Sequence, residues 1–152
     1  MFPVCTEGNA ATTIDAITKL ETYMGVSFPS IYKAFLLNCN GGRPGSGVFP
    51  IYGLNLNPYG NIQFFFGVNA YSKNYDLRLV FDWFKAGIPR GIVLIACTDG
   101  SDYICLDLRN NAEKVVYWEQ SHFWGSGEWR EGDLYSIADS FMRFLRELRP
   151  DA

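Results

Sequence analysis

Two stretches near the start of the chain repeat apolar side chains every three or four positions, the spacing of one face of an α-helix. In the first stretch, residues 13–24, the apolar positions follow a pair of threonines, either of which can cap a helix, and Gly25 ends it. In the second, Pro29 suits a first helical turn, and the apolar stripe stops near residues 40–42. The pattern predicts two helices joined by a tight turn.

The middle of the chain changes to short β-prone segments. Residues 41–60 are dense in glycine and proline and predict a loop with a short strand near 48–52. The aromatic segment 62–68 predicts a strand, and 77–86 predicts a short helix ended by glycine. Three more strands are predicted in quick succession: 92–97, 103–108 and 115–119. Their connections are too short for a parallel crossover, so we expect antiparallel hairpins.

The last third of the chain combines an irregular segment with a helical pattern. Residues 122–132 predict an aromatic, glycine-containing loop, and residues 134–148 predict a helix capped by Asp133. The whole pattern predicts an α+β fold in one domain over 1–152, with its core at about 13–148. In that fold, an antiparallel sheet of about five or six strands is flanked by N-terminal helices and a C-terminal helix.

Composition and charge argue against one class of function, the direct binding of nucleic acid. Hydrophobic residues make up 48% and aromatic residues 16% of the chain, enough to build a core and still expose some rings. The formal net charge is −3, the wrong sign for tracking a phosphate backbone, so no direct nucleic-acid partner is expected. Residues 99–133 carry eight acidic against three basic side chains. If they share a face, that face attracts cations or basic proteins.

The four cysteines form no C-x-x-C pair and show no close metal-ligand spacing. Three of them lie in apolar segments, which predicts reduced core thiols and a cytoplasmic protein. The N-terminus lacks the basic and apolar regions of a signal peptide. No window approaches the roughly 18 apolar residues that span a bilayer, so no membrane contact is expected.

Catalytic chemistry finds little support in the sequence. His122 is the only histidine, and Gly125-Ser126-Gly127 reads as a flexible turn that lacks the G-x-S-x-G pattern. Asp99-Gly100-Ser101-Asp102 resembles a fragment of a calcium loop without its closing glutamate. Paired carboxylates within 99–131 leave a hydrolase open, although acids in turns are usually solvated. We expect no catalytic residue, no metal and no cofactor.

An aromatic and acidic cluster after residue 117 favours a binding function. Aromatic anchors surrounded by charges are common in protein interfaces. The alternative is that these rings cover one end of the sheet, which is the favoured reading for Trp118. The predicted partner-binding residues are Asp99, Asp102, Glu119, Phe123, Trp124, Glu128, Trp129 and Glu131.

Two ordered blocks carry a family resemblance. Residues 29–44 resemble the P-x-x-Y-K-x-F-L and N-G-G signature of the Smi/Knr type within the SUKH superfamily, and residues 88–118 are similar to its second block. The motif residues, to which we assign structural roles, are Pro29, Tyr32, Phe35, Leu36, Asn40, Gly41, Gly42, Asp107 and Trp118. The family's D-x-x-G-D stretch is altered here to Asp99-Gly100-Ser101-Asp102.

The resemblance carries implications beyond the residues themselves. It implies an α+β fold without a known catalytic centre and, in bacteria, service as an immunity protein against polymorphic toxins, many of them nucleases. Fungal relatives act instead as regulatory scaffolds. The leading hypothesis is therefore a bacterial immunity protein whose partner is a cognate toxin, with a non-toxin scaffold and a carboxylate-based hydrolase as the alternatives.

Overall fold

The computed structural model describes residues 2–54 and 58–150 and has an α+β architecture. Residues 55–57 of the predicted loop lie outside the described residues. The helices are α1 (Ile14–Met24), α2 (Ser30–Asn38), α3 (Leu77–Phe84), α4 (Ser121–Ser126) and α5 (Phe141–Arg146). The strands are β1 (Cys5–Thr6), β2 (Arg43–Pro44), β3 (Val48–Pro50), β4 (Tyr59–Phe65), β5 (Ile92–Thr98), β6 (Tyr103–Asp107), β7 (Lys114–Trp118) and β8 (Leu134–Ala138).

Helix α1 follows the predicted pattern at both ends. The Thr13 hydroxyl accepts a hydrogen bond from the backbone N–H of Ala16 at 3.1 Å, which satisfies one of the free donors of the first turn. Gly25 closes the helix in the left-handed region with φ 72°. The buried side chains Ile17, Leu20 and Met24 lie three and four residues apart and fix the inward face.

Strands β3 to β8 form one antiparallel sheet in chain order, and β1 pairs with β2 in a separate ribbon. The predicted hairpins are confirmed, because β5, β6 and β7 pair antiparallel along their lengths. The sheet is strongly curved, since Tyr52, just beyond β3, donates its backbone N–H to the carbonyl of Ser136 on β8 at 3.0 Å. The two ends of the strand order thus approach each other.

Helices cover both faces of the sheet. On one face, α2 and α5 contribute aromatic rings, and the Phe35 centroid lies 4.8 Å from Phe65 and 5.3 Å from Phe141. On the other face, the Phe84 ring at the end of α3 lies 5.6 Å from Trp118. Neighbouring strand residues point to opposite faces, so Tyr117 and Trp118 belong to different halves of the core.

The segment 134–148 is a strand followed by a helix, so the prediction of one helix capped by Asp133 is wrong. Leu134–Ala138 pairs with β7 as strand β8, and the helix begins only at Phe141. Ser140 is its cap, since the hydroxyl accepts a hydrogen bond from the backbone N–H of Arg143 at 3.1 Å. Pairing with the buried strand β7 outweighs the local helical pattern.

The state of the cysteines differs from the prediction that all of them are reduced. Cys5 in β1 and Cys39 at the end of α2 form a disulfide, whereas Cys97 and Cys105 are free thiols. The expectation that all four are reduced is therefore wrong for Cys5 and Cys39. The short ribbon β1–β2 places Cys5 beside the end of α2, and the apolar context of Cys39 gave no sign of this pairing.

Candidate partner-binding surface

Residues 119–133 leave the end of β7, cross one face of the sheet and return into β8. We call residues 119–131 the α4 surface. The predicted irregular loop at 122–132 is wrong in part, because Ser121–Ser126 forms helix α4, which Gly127 closes with φ 73°. Ser126, predicted in a turn, is the last helical residue. Six predicted site residues lie on this surface: Glu119, Phe123, Trp124, Glu128, Trp129 and Glu131.

Two of the aromatic side chains hold the α4 surface on the sheet. The Phe123 and Trp129 rings lie 5.3 and 5.4 Å from the ring of the fully buried Trp118. Phe123 also fits against Gly87, where an added Cβ would come within 2.7 Å of its ring. Phe123 and Trp129 are half-buried, so they share the packing role that the sequence assigned first to Trp118.

Trp124 differs from these neighbours. Its side chain is 65% exposed, and its ring reaches the core only through an edge contact with Phe84 at 6.0 Å. Burying an indole removes apolar surface from water and is favourable, and an exposed indole does not gain this free energy. Of the three aromatic side chains Phe123, Trp124 and Trp129, Trp124 is therefore the one that is mostly exposed to solvent.

Arg109 organises part of the acidic cluster, a role that sequence reasoning missed. Its guanidinium donates to Asp107 at 2.9 Å and to Glu131 at 2.6 Å, and the Trp129 indole donates to Glu131 at 3.2 Å. Through Arg109, these hydrogen bonds connect Glu131 of the α4 surface to Asp107 at the end of β6. Arg109 and Glu131 are 22 residues apart, so no local pattern reveals the pairing.

The same bonds shift the titration of both carboxyl groups. Partial burial alone would raise the pKa of Asp107, but the hydrogen bonds from Arg109 outweigh it and lower that pKa. Hydrogen bonding from Arg109 also lowers the pKa of Glu131. Both groups therefore stay ionised to a lower pH in the folded protein than in the unfolded chain.

Fewer acidic side chains of 99–133 are free of ion pairs than the count of charges in the sequence indicates. Asp107, Glu131 and Asp133 are engaged by Arg109 and Arg130. Within the described part of 99–133, the acids without an ion pair are Asp99, Asp102, Glu113, Glu119 and Glu128. Of the acids on the α4 surface, Glu119 and Glu128 are therefore the two without an ion pair among the described residues.

Asp102 connects the β5–β6 turn to the α4 surface. Its carboxylate accepts hydrogen bonds from the Tyr117 hydroxyl and from the backbone N–H of Gln120, the latter at 3.1 Å. Burial raises the pKa of Asp102, although these two hydrogen bonds oppose the rise. Asp99 lies in the same turn, is exposed and accepts from Asn61 of β4 at 2.8 Å, and no hydrogen bond or ion pair joins its side chain to the described residues 119–131.

The described residues offer little for metal-dependent or thiol-based catalysis. No group of three or more His, Cys, Asp or Glu side chains within 2–54 and 58–150 could hold a metal ion. Burial raises the pKa of Cys97 to about 11 and also raises that of Cys105, which suppresses the reactive thiolate. The Ser126 hydroxyl lies 3.1 Å from the His122 ring, but it also caps the turn by accepting from the N–H of Glu128.

The family-motif residues lie mostly in the core or its connections. Pro29, Tyr32, Phe35 and Leu36 are buried on or beside α2, and Asp107 and Trp118 end their strands. Asn40 donates to the carbonyls of Ala10 and Val68 and accepts from the N–H of Val68. Gly41 and Gly42 have φ of 79° and 114°, and both lie against other backbone segments, so a side chain at either position would be strained.

Fold and site together define an α+β protein with helices on both faces of a curved antiparallel sheet and a candidate binding surface of aromatic and acidic side chains. The family model described as SMI1 / KNR4 family (SUKH-1) matches residues 11–147, and the chain belongs to this family. No curated protein shows significant similarity to the sequence. None of the described helices is long and apolar enough to cross a membrane.

Proposed function

We propose that this chain is an immunity protein that binds a cognate toxin protein through the α4 surface and thereby neutralises it. Membership of the SUKH-1 family supports this role. The observation that carries the assignment of the surface is the exposed Trp124 on the same segment as Glu119 and Glu128, which have no ion-pair partner among the described residues. The chain itself acts without catalysis or a cofactor.

The proposal gives each part of the α4 surface a separate task. Trp124 is the anchor that becomes buried in the complex, where a single tryptophan can contribute about 2 kcal/mol or more. Phe123 and Trp129 hold this anchor in place through Trp118. Glu119 and Glu128 steer the approach of a basic partner. A nuclease-type toxin fits this description, because its substrate site must be positively charged.

The pairing of the acids disfavours the hydrolase alternative. A glycosidase-type mechanism needs two carboxyl groups with access to substrate and with pKa values that differ. Asp107, Glu131 and Asp133 are occupied by arginine, and Asp102 is occupied by Tyr117 and Gln120. These acids serve as structural connections between β6, β7 and the α4 surface.

Co-expression tests the proposal. The chain should restore growth of cells that express the toxin encoded by the neighbouring open reading frame, and Trp124→Ala should abolish this rescue. Tyr71→Ala is the matched control, because Tyr71 is 78% exposed and lies outside the α4 surface. Both purified variants should keep the unfolding midpoint of the natural chain, since neither ring is buried.

Two outcomes would overturn the proposal. One is full rescue by Trp124→Ala, which would remove the α4 surface from the interface. The other is failure of the unaltered chain to rescue growth or to bind the purified toxin, combined with stable binding to housekeeping proteins. That second result would assign the chain to the scaffold alternative.

A further inference from the structure

A groove with two cavities runs beside α1 and is separated from the α4 surface by the end of α3. The first cavity has a volume of about 350 Å³ and an apolar floor formed by Ala16, Leu20 and Val68. The second has a volume of about 420 Å³ and lies between α1, the end of α3 and β5. Tyr23 lines both cavities and forms the wall between them. We call the two cavities together the α1 groove.

The charge of the α1 groove is opposite to that of the chain. Its lining includes four basic side chains and no aspartate or glutamate, although the chain has 16 acidic and 13 basic residues. The basic side chains are Lys19 and Arg78 in the first cavity and Lys85 and Arg90 in the second. A cleft lined by one sign of charge concentrates ligands of the opposite sign.

The basic side chains are held at the rim of the groove by the surrounding structure. The Arg78 guanidinium lies 4.5 Å from the centroid of the Tyr23 ring, and the Tyr23 hydroxyl donates to Asp82 at 2.7 Å. The Arg90 guanidinium lies over Gly25, where an added Cβ would come within 2.6 Å of Nη2. Lys19 and Lys85 pair with Asp15 and Asp82, whereas Arg78 and Arg90 form no ion pair with any described residue.

The floor of the groove argues for a peptide rather than for a nucleic acid. Met24, Phe81 and Ile88 line the second cavity, so both cavities offer apolar side chains at their base. Apolar pockets accept aliphatic or aromatic side chains, whereas a phosphate backbone seeks a continuous basic track. Arginine guanidinium groups bind carboxylates through paired hydrogen bonds.

We propose that the α1 groove binds an acidic peptide segment of a partner protein. In this arrangement, two apolar side chains of the segment enter the cavities on either side of Tyr23, and its carboxylates meet Arg78 and Arg90. The residues that line the groove include none of the α4 surface. The end of α3 separates the two, since Phe84 lines the groove on one side and contacts Phe123 and Trp124 on the other.

Selection of peptides on the full chain tests this site. A phage-displayed library of random peptides should yield binders with net negative charge and two apolar residues. In fluorescence polarisation, the double variant Arg78→Glu/Arg90→Glu should bind the best labelled peptide at least tenfold more weakly. Lys73→Glu/Arg146→Glu, which makes the same change of charge at exposed positions outside the groove, should bind it normally.

The control measurements keep the test decisive. Circular dichroism and urea unfolding establish that each variant is folded, and Arg78→Gln/Arg90→Gln replaces the charge reversal if that variant unfolds. Tyr23→Ala should also weaken peptide binding, because it removes the wall between the cavities. The proposal is overturned if the library yields no acidic binders, if the arginine variants bind them normally, or if single-stranded oligonucleotides displace them from the groove.

Discussion

At the residue scale, Asn40 connects three segments that are distant in sequence. Its side chain donates to Ala10 and Val68 carbonyls at 2.8 and 2.9 Å and accepts from the Val68 N–H at 2.7 Å. Asn40→Ala should lower the free energy of unfolding by about 2–4 kcal/mol, because it leaves buried backbone groups unpaired. Urea unfolding measures the change. The exposed Asn38→Ala is the control, and equal midpoints for the two variants would refute this role.

Arg109 gives a prediction that depends on pH. Arg109→Gln should cost about 1 kcal/mol at pH 7, because the network that it holds is partly exposed to solvent. The pKa values of Asp107 and Glu131 are lowered in the folded state, so their stabilising contribution is present above the usual carboxyl range. It is lost as the pH falls below about 4.

Unfolding measured across the acid range checks this expectation. The stability difference between the natural chain and Arg109→Gln should stay nearly constant between about pH 6 and pH 5 and shrink below about pH 4. Arg146→Gln is the control, because Arg146 is exposed and forms no ion pair with a described residue. A difference that stays constant or grows as the carboxyl groups protonate would contradict the assigned network.

Residue-level prediction from the sequence succeeds where the cause is local. Gly41 and Gly42 both have the positive φ that glycine permits, a backbone requirement visible in the residue type, although α2 itself ends at Asn38 with Cys39 extended. The Arg109–Glu131 pair depends instead on the path of the chain between β7 and β8. Counting charges along 99–133 therefore overestimates the free acids of the site.

At the element scale, strand pairing decides the structure of residues 134–138 although the local sequence has a helical pattern. Ser140 caps α5 and Ser136 lies exposed on strand β8. Ser140→Ala should destabilise the fold by about 1 kcal/mol, while Ser136→Ala should change it by less than about 0.5 kcal/mol. Urea unfolding measures both. In one continuous helix, alanine would be favoured at both positions, so stabilisation by both substitutions would contradict the strand.

The disulfide between β1 and α2 gives a second prediction at this scale. Cys5 and Cys39 are separated by 34 positions, and closing a loop of that length stabilises a fold by about 3–4 kcal/mol in the chain-entropy model. Thiol titration of the denatured, unreduced chain should find two free cysteines, and four after reduction. Four free thiols before reduction would show that the bond does not form.

Elements could be predicted where one periodicity dominates. Helix α1 and the strands β5 to β7 have clear patterns and lie within two residues of their predicted bounds. Helix α4 was missed because its six residues include two serines and a glycine and show no apolar stripe. Strand β8 was missed because its alternation is short and continues directly into the helical spacing of α5.

At the scale of the whole molecule, charge is divided between two surfaces. The α4 surface presents Trp124 with Glu119 and Glu128, and the α1 groove presents Arg78 and Arg90 over apolar cavities. Partners of opposite charge would therefore bind to different sides of the end of α3. Neither the small net charge nor the order of residues along the chain reveals this separation, because both surfaces are assembled by the fold.

The rate at which the chain associates with the purified toxin of the neighbouring open reading frame tests the central claim most directly. Stopped-flow fluorescence at low and high salt should compare the natural chain with Glu119→Gln/Glu128→Gln/Glu131→Gln and with the control Asp15→Asn/Asp139→Asn/Glu147→Gln. The first variant should associate at least tenfold more slowly at low salt and lose most of its salt dependence. Glu131 is paired with Arg109 and Trp129, so Glu119→Gln/Glu128→Gln, which leaves that pairing intact, should show the same loss. Equal low-salt rates for both variants would contradict an acidic α4 surface as the site of toxin binding.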